Sequence, residues 1–364
     1  MNDKIDLNSR QLTLLISNLL IAKMMFAFPR FLFKTSGNAA WIQAIYVSLL
    51  AYILFSASIW FYRYTGNKSI LQLAESTGKI PLKIIVALLV TVIITANVAT
   101  EMRTFTESVK IVLLPKTKTE LIMIFFAVTV IIGAYCGFGT LSVINALFFP
   151  FCLFFILVMV IVLFPTYNVN NIFPLFGTGA KDIFIKGLRD TSCFTDLLAL
   201  NLILPHCKDI EMVKKSGRNA ILISGTTLVL LCLSYGLTYP YPYSAEFLLV
   251  PYQLSRMVRA GEYFQRFEAL FEFVWTITQL LYSSIYIFIL CNVFQNTFKL
   301  RYLRPLIPCT VTALALLSFM PGTVVDLLDS AYGFKQKLIP IAYLLPIVIP
   351  IIYIIVEKRR SRSK

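Results

Sequence analysis

The chain has little that reacts. It carries one histidine in 364 residues, His206, so a histidine-built metal centre is excluded and a Ser-His-Asp triad would have to use a residue in a charged stretch. Seven cysteines (136, 152, 193, 207, 232, 291 and 309) stand singly with no C-x-x-C spacing. That pattern encodes neither a zinc nor a haem site, and small apolar side chains inside helices are the plainer reading. No nucleophile–base pair and no cofactor motif is present, so neither an enzyme nor a bound cofactor is expected. Charge is also scarce. Charged residues make up 14% of the chain and hydrophobic residues 58%, with a mean hydropathy of +0.78. A soluble domain carries about 25% charged residues. Too few are present here to cover a water-soluble fold, which excludes a soluble catalytic domain and makes lipid the expected solvent.

Long apolar runs are abundant. A spanning helix needs roughly 20 apolar residues, and about ten segments qualify: 11–33, 40–62, 82–106, 119–136, 140–165, 187–205, 219–240, 268–294, 305–320 and 338–356. The runs are continuous rather than alternating, so a barrel is excluded, and backbone groups in lipid must be satisfied within each span, so the spans are helices. The expected fold class is an all-α polytopic membrane protein forming one integral domain over 1–364. No small-residue cleavage site follows the first run, which predicts a retained helix rather than a signal peptide. Two connections are long: 166–186, with Asn, Gly and Pro turn signals, and 241–267, whose Tyr and Arg suit a headgroup layer. Residues 67–78 predict a short amphipathic helix on the opposite face.

The basic tail EKRRSRSK predicts a cytoplasmic C-terminus, and an even number of spans then puts the N-terminus there too. With that orientation 18 of the 33 lysines and arginines fall on the cytoplasmic side and 12 outside, Lys335 and Lys337 among the latter. The net charge of +15 is spread over loops on both sides. Anionic membrane lipids are therefore the expected partner, and no nucleic acid is.

Polar groups inside spans are costly, so each one is informative. Lys23 lies in QLTLLISNLLIAKMMFAFPRF, too deep to snorkel, and either faces a ligand cavity or pairs with a buried carboxylate. In the sixth span only Leu197 to Pro205 is unbroken and apolar. Ahead of it come Arg189, Asp190, Thr191, Ser192, Thr195 and Asp196, a pattern that fits a helix interrupted near the midplane or an interfacial N-terminal turn. Asp196 is the candidate partner of Lys23. In the third span Arg103, Glu107 and Lys110 have pairing spacing, while Asn97 and Glu101 lie deeper and are candidates to line a cavity. In the eighth, Glu262 with Arg266 and Glu268 with Glu272 fit a solvated start of a helix. Further along, Thr278, Gln279, Tyr282, Ser283 and Ser284 can contact a ligand or neighbouring helices.

Several stretches together carry a resemblance. They are a first helix containing Asn18 and ending in Phe28-Pro29-Arg30, EMRTFTESVKIVLLPKTK at 101–118, NIFPLFGTG at 171–179, and YFQRFEALFEFVW at 263–275. In their order and spacing the chain resembles the B subunit of spore germinant receptors, a spore germination permease family within the amino acid–polyamine–organocation superfamily. The resemblance implies a LeuT/APC-like fold of ten helices in a 5+5 inverted repeat. Repeat one would cover about 11–165, a loop 166–186, repeat two about 187–356, and a cytoplasmic tail 357–364. Helices 1 and 6 would be broken, with a small ligand between the breaks. It also implies a nutrient sensor of the spore inner membrane that acts with an A-type membrane subunit and a C-type lipoprotein subunit. A secondary amino acid transporter coupled to protons or Na⁺ is the alternative on the same scaffold. The family usually shows Gly-x-Gly at the first break, where this chain has Ala22-Lys23-Met24. The expected ligand-binding set is Ala22, Lys23, Met24, Asn97, Glu101, Thr191, Ser192, Thr195, Asp196, Thr278 and Tyr282, with no metal and no catalytic residue.

Overall fold

A computed structural model describes residues 7–78, 80–258 and 267–362. The expected Glu262–Arg266 pair and the first residues of the YFQRF stretch lie outside the described residues.

The first span is broken. Helix α1 (Ser9–Met24) opens on a capping box in which Asn8 and Gln11 bond each other's backbone N–H. After Met25 the chain leaves the helix and resumes as α2 (Phe28–Ser36), with Pro29 in its first turn. The cause is local. Pro29 has no N–H for the Met25 carbonyl, and its ring would collide with that carbonyl in a continuous helix. The interruption is therefore at 25–27, one turn later than Ala22-Lys23-Met24, which complete the last turn of α1. The apolar α3 (Ala40–Tyr62) follows.

The short α4 (Ile70–Ser76) is the amphipathic helix expected at 67–78. It is opened by a Ser69–Gln72 capping box and buries Ile70, Leu71, Leu73 and Ala74. Then come α5 (Ile80–Val112) and α6 (Thr119–Val162). At 44 residues α6 holds two expected spans, separated by a bend at Gly137, whose φ of 84° and ψ of 163° are accessible only to glycine without strain.

The sixth span is not unwound. Beyond the small α7 (Ala180–Phe184) it runs as a 3-10 helix over Lys186–Leu197 and changes to α8 (Leu198–Ile203). The interruption expected at 190–196 is thus a tightly wound segment rather than an open loop. Helices α9 (Ile210–Thr238), α10 (Val250–Met257), α11 (Phe267–Phe298), α12 (Leu306–Ser318) and α13 (Val324–Arg362) complete the chain. Among the described residues, six helical stretches are long and apolar enough to cross a membrane, and α12 is a shorter apolar helix. Lipid-facing side chains such as Leu49, Ile53, Phe125 and Phe154 are more than half exposed, as an apolar solvent permits.

Two further expectations resolve differently. The 166–186 loop is pinned onto the end of α2, with the Thr178 hydroxyl donating to the Thr35 carbonyl at 2.9 Å and Asn38 donating to the Phe173 carbonyl. Glu272, by contrast, is fully buried rather than solvated, and accepts from the Ser108 hydroxyl at 3.2 Å. The close approach of loop and helix requires Gly177, where a Cβ would lie 1.9 Å from the Ser36 carbonyl oxygen and φ is +50°. Gly177→Ala is expected to destabilise the protein by about 2 kcal/mol or more through backbone strain and overlap. Thermal unfolding in detergent checks this, and an unchanged midpoint would mean the loop is not pinned there.

Candidate functional site

The break in the first span places Lys23 next to the 3-10 segment of the sixth. Its ammonium lies 2.6 Å from Asp196 Oδ2, and both side chains are almost fully buried. Asn97 Nδ2 donates to Asp196 Oδ1 at 2.9 Å, and the Tyr286 hydroxyl donates to the same oxygen at 2.6 Å. The Lys23 ammonium also donates to the Thr195 hydroxyl at 3.4 Å, which in turn donates to the Ser192 carbonyl. The pair thus joins α1, α5, α11 and the 3-10 segment. A buried ion pair repays its desolvation only when its remaining polar atoms are also satisfied, and here the partners converge from every side.

A second pair lies beside the first. Lys335 of α13 approaches Glu101 of α5 at 3.6 Å; Glu101 is buried and Lys335 largely so. Between the pairs is a cavity of about 50 Å³, whose polar lining is Lys23, Thr100, Glu101, Thr104, Ser192 and Lys335. That volume holds about four waters. Phe26, Phe28, Phe31, Cys193, Leu328 and Tyr332 provide most of its apolar wall.

On one side the cavity is shut. Phe31 of α2 stacks on Tyr332 of α13 with ring centroids 3.7 Å apart and planes 4° from parallel. Asp329 of α13 draws in Lys34 at 3.5 Å and Arg30 at 4.0 Å. The Tyr332 hydroxyl and Gln43 both donate to Asp190. Toward the other end of the bundle is a much larger cavity of about 950 Å³, lined by Glu75, Lys83, His206, Phe288, Asn292 and Lys299 among others. Lys83 is 18 residues from Glu101 on α5, which is about 27 Å along a helix. Glu75, on the connecting α4, bonds Lys83 at 2.8 Å, and that hydrogen bond holds its carboxyl below the usual range.

Of the residues expected from sequence, Lys23, Glu101 and Ser192 line the small cavity, and Asn97, Thr195 and Asp196 stand behind Lys23. The others do other work. The Ala22 carbonyl, freed at the end of α1, accepts from Gln279 at 2.8 Å, and Met24 is buried in the core. Thr191 bonds Leu188 through its hydroxyl and receives the Tyr343 hydroxyl on its carbonyl. Thr278 bonds its own helix at Val274. Tyr282 is fully buried with its ring 4.9 Å from that of Tyr286. Lys335 and Tyr332 were missed, because their acidic and basic neighbours hide the first turns of α13 from a hydropathy reading. Leu328, Tyr332 and Lys335 nevertheless repeat at helical spacing on the cavity face. The Arg103–Glu107 pair expected from spacing is present at 2.7 Å, whereas Lys110 bonds Thr119.

Lys23→Met leaves Asp196 buried without its cation, and a loss of about 3–5 kcal/mol is expected. Adding Asp196→Asn should restore part of it. Folded yield and thermal midpoint of the two variants check this; a fully stable single variant would remove the pair's structural role.

The same architecture occurs in known transporters. A structure of Mhp1, a nucleobase-cation-symport-1 family transporter, in a closed conformation with bromovinylhydantoin bound, superposes with a TM-score of 0.67 at 12% identity, covering 92% of this chain and 77% of that one. The inward-facing conformation of Mhp1 gives 0.57 at 14% identity, covering 89% and 75%. A mutant of the Eremococcus coleocola manganese transporter gives 0.50 at 14% identity, covering 95% and 77%. At these identities the likeness shows a shared fold: an all-helical, polytopic, LeuT/APC-like membrane protein. Among curated proteins, none matches by sequence. A sequence model described as spore germination protein matches residues 6–326, nearly the whole length, and the chain belongs to that family of spore germination permeases.

Proposed function

We propose that the protein is the membrane-embedded ligand-sensing subunit of a spore germinant receptor, binding a small amino-acid-like nutrient in the cavity beside Lys23. The observation that carries this reading is a small cavity lined by charged groups at a helix break and shut on one side, in a chain whose family is named for germination. A polar void at the centre of an apolar bundle is costly unless it is used. Ligand binding biases a conformational equilibrium only through different affinities for the two states. The stack of Phe31 on Tyr332 and the Asp329 pairs span α2 and α13, so they are the contacts that opening would break. In this reading the protein resides in the spore inner membrane with both termini cytoplasmic. It passes the change to an A-type membrane subunit and a C-type lipoprotein subunit.

The second reading is a secondary transporter moving an amino acid with protons or Na⁺. One observation favours it: the roughly 950 Å³ cavity at the other end of the bundle, a ready exit for a ligand released past Phe138 and Phe288.

Purified protein is expected to show a rise in thermal midpoint with small amino acids at saturating concentration, since a ligand bound only to the folded state stabilises by mass action. The same protein in liposomes is expected not to accumulate the labelled ligand against a gradient. Concentrative uptake by the protein alone would replace sensing by transport, and no shift with any small nutrient would remove both readings.

A further inference from the structure

The two buried ion pairs are not alike. Asp196 is tied off by Lys23, Asn97 and Tyr286, at distances of 2.6 to 2.9 Å. Among the described residues Glu101 pairs with Lys335, at 3.6 Å on Oε1, with the Gln279 side chain close to its carboxyl. Its Oε2 is buried and makes no hydrogen bond of ordinary geometry among the described residues. The Gln279 amide oxygen is likewise unpartnered there. Glu101 and Lys335 both line the small cavity, and they come from different helices, α5 and α13.

We propose that the Glu101–Lys335 pair is an exchangeable clamp for a small zwitterion: the ligand's ammonium binds Glu101, and its carboxylate binds Lys335. The proposal rests on the reading of the cavity as a ligand site and specifies how that site selects. Charge balance in a buried site makes the selection. A zwitterion replaces one internal pair by two, leaves no buried charge unpaired, and brings no net charge into the bundle. An amine alone satisfies Glu101 and strands Lys335; a carboxylate alone strands Glu101. The ammonium supplies donors to a carboxylate with one oxygen unbonded, and the ligand carboxylate gives Lys335 a closer acceptor than it now has. Room for about four waters suits a molecule of about five heavy atoms, the size of glycine. Lys23 also lines the cavity, but its ammonium is committed to Asp196 at 2.6 Å and takes no part in the exchange.

The test measures affinity for glycine, alanine, ethylamine and propionate by titration calorimetry on the purified full-length protein. The variants are Glu101→Gln, Lys335→Met and the double variant, which is charge-neutral at this position and keeps the protein foldable if a single variant is not. Wild type is expected to prefer the zwitterions over ethylamine and propionate by at least about tenfold. Lys335→Met should move the preference toward ethylamine, Glu101→Gln toward propionate, and the double variant should lose charge preference. A merely structural pair would lower stability without reversing the order of ligands. If wild type binds glycine or alanine and the double variant keeps that affinity within twofold, the clamp is wrong while the ligand site stands. If wild type binds none of the four compounds but another small nutrient shifts its thermal midpoint, the clamp is wrong alone. If nothing binds, both fall.

Discussion

The interior is organised around one buried charge pair, Lys23 with Asp196. Asn97, Thr195 and Tyr286 all bond one of its two members. The 3-10 winding over Lys186–Leu197 presents Ser192, Thr195 and Asp196 close together, Asn97 and Tyr286 reach in from α5 and α11, and the end of α1 lies against all three. Removing one member would leave an ion in a medium that solvates it badly, so four elements are held in one arrangement by the penalty for separating them. This is the structural alternative that a lysine deep in an apolar span always carries. The rigid pair then leaves the looser one, Glu101 with Lys335, as the part free to change partners.

The break in the first span shows how much was legible and by which rule. A family pattern of glycines points to residues 22–24, while elementary helix chemistry points to 25, four residues before Pro29. The chain follows the proline. The pairing of Lys23 with Asp196 was also within reach, because an uncompensated ammonium demands a carboxylate and few lie inside spans. Two features were hidden for opposite reasons. Lys335 reads as part of an exterior loop since Asp326, Asp329 and Lys337 lower the local hydropathy, yet the segment is helix and Lys335 lines the cavity. Glu272 reads as solvated since it follows Glu268 at like-charge spacing, yet it is buried and a tertiary neighbour, the Ser108 hydroxyl, donates to it. Hydropathy averages over a helix face; burial depends on it.

The span pattern was more readily visible than the helix interiors. Each expected span falls on helix, because runs of apolar residues leave the backbone no alternative in lipid. What composition could not supply is winding: that α6 would pass through two spans with only Gly137 departing from helical geometry, or that the sixth span would tighten to 3-10 rather than open. Both are decided by what packs against the segment. Gly187, for instance, lies against the Gln43 side chain, which in turn donates to Asp190.

The seal over the cavity combines two materials with different responses to the medium. The Phe31–Tyr332 stack is indifferent to dissolved ions, but Asp329 is half exposed, and its attraction to Lys34 and Arg30 passes partly through water. At an ionic strength near 0.15 M the screening length is about 8 Å, and it shortens to about 3 Å at 1 M. Counterions gathering at that rim would thus weaken its electrostatic half while the sealed charges below, out of their reach, kept their grip. Hydration and electrolyte outside the membrane thereby become a dial on how readily the chamber is entered, set independently of what the chamber holds.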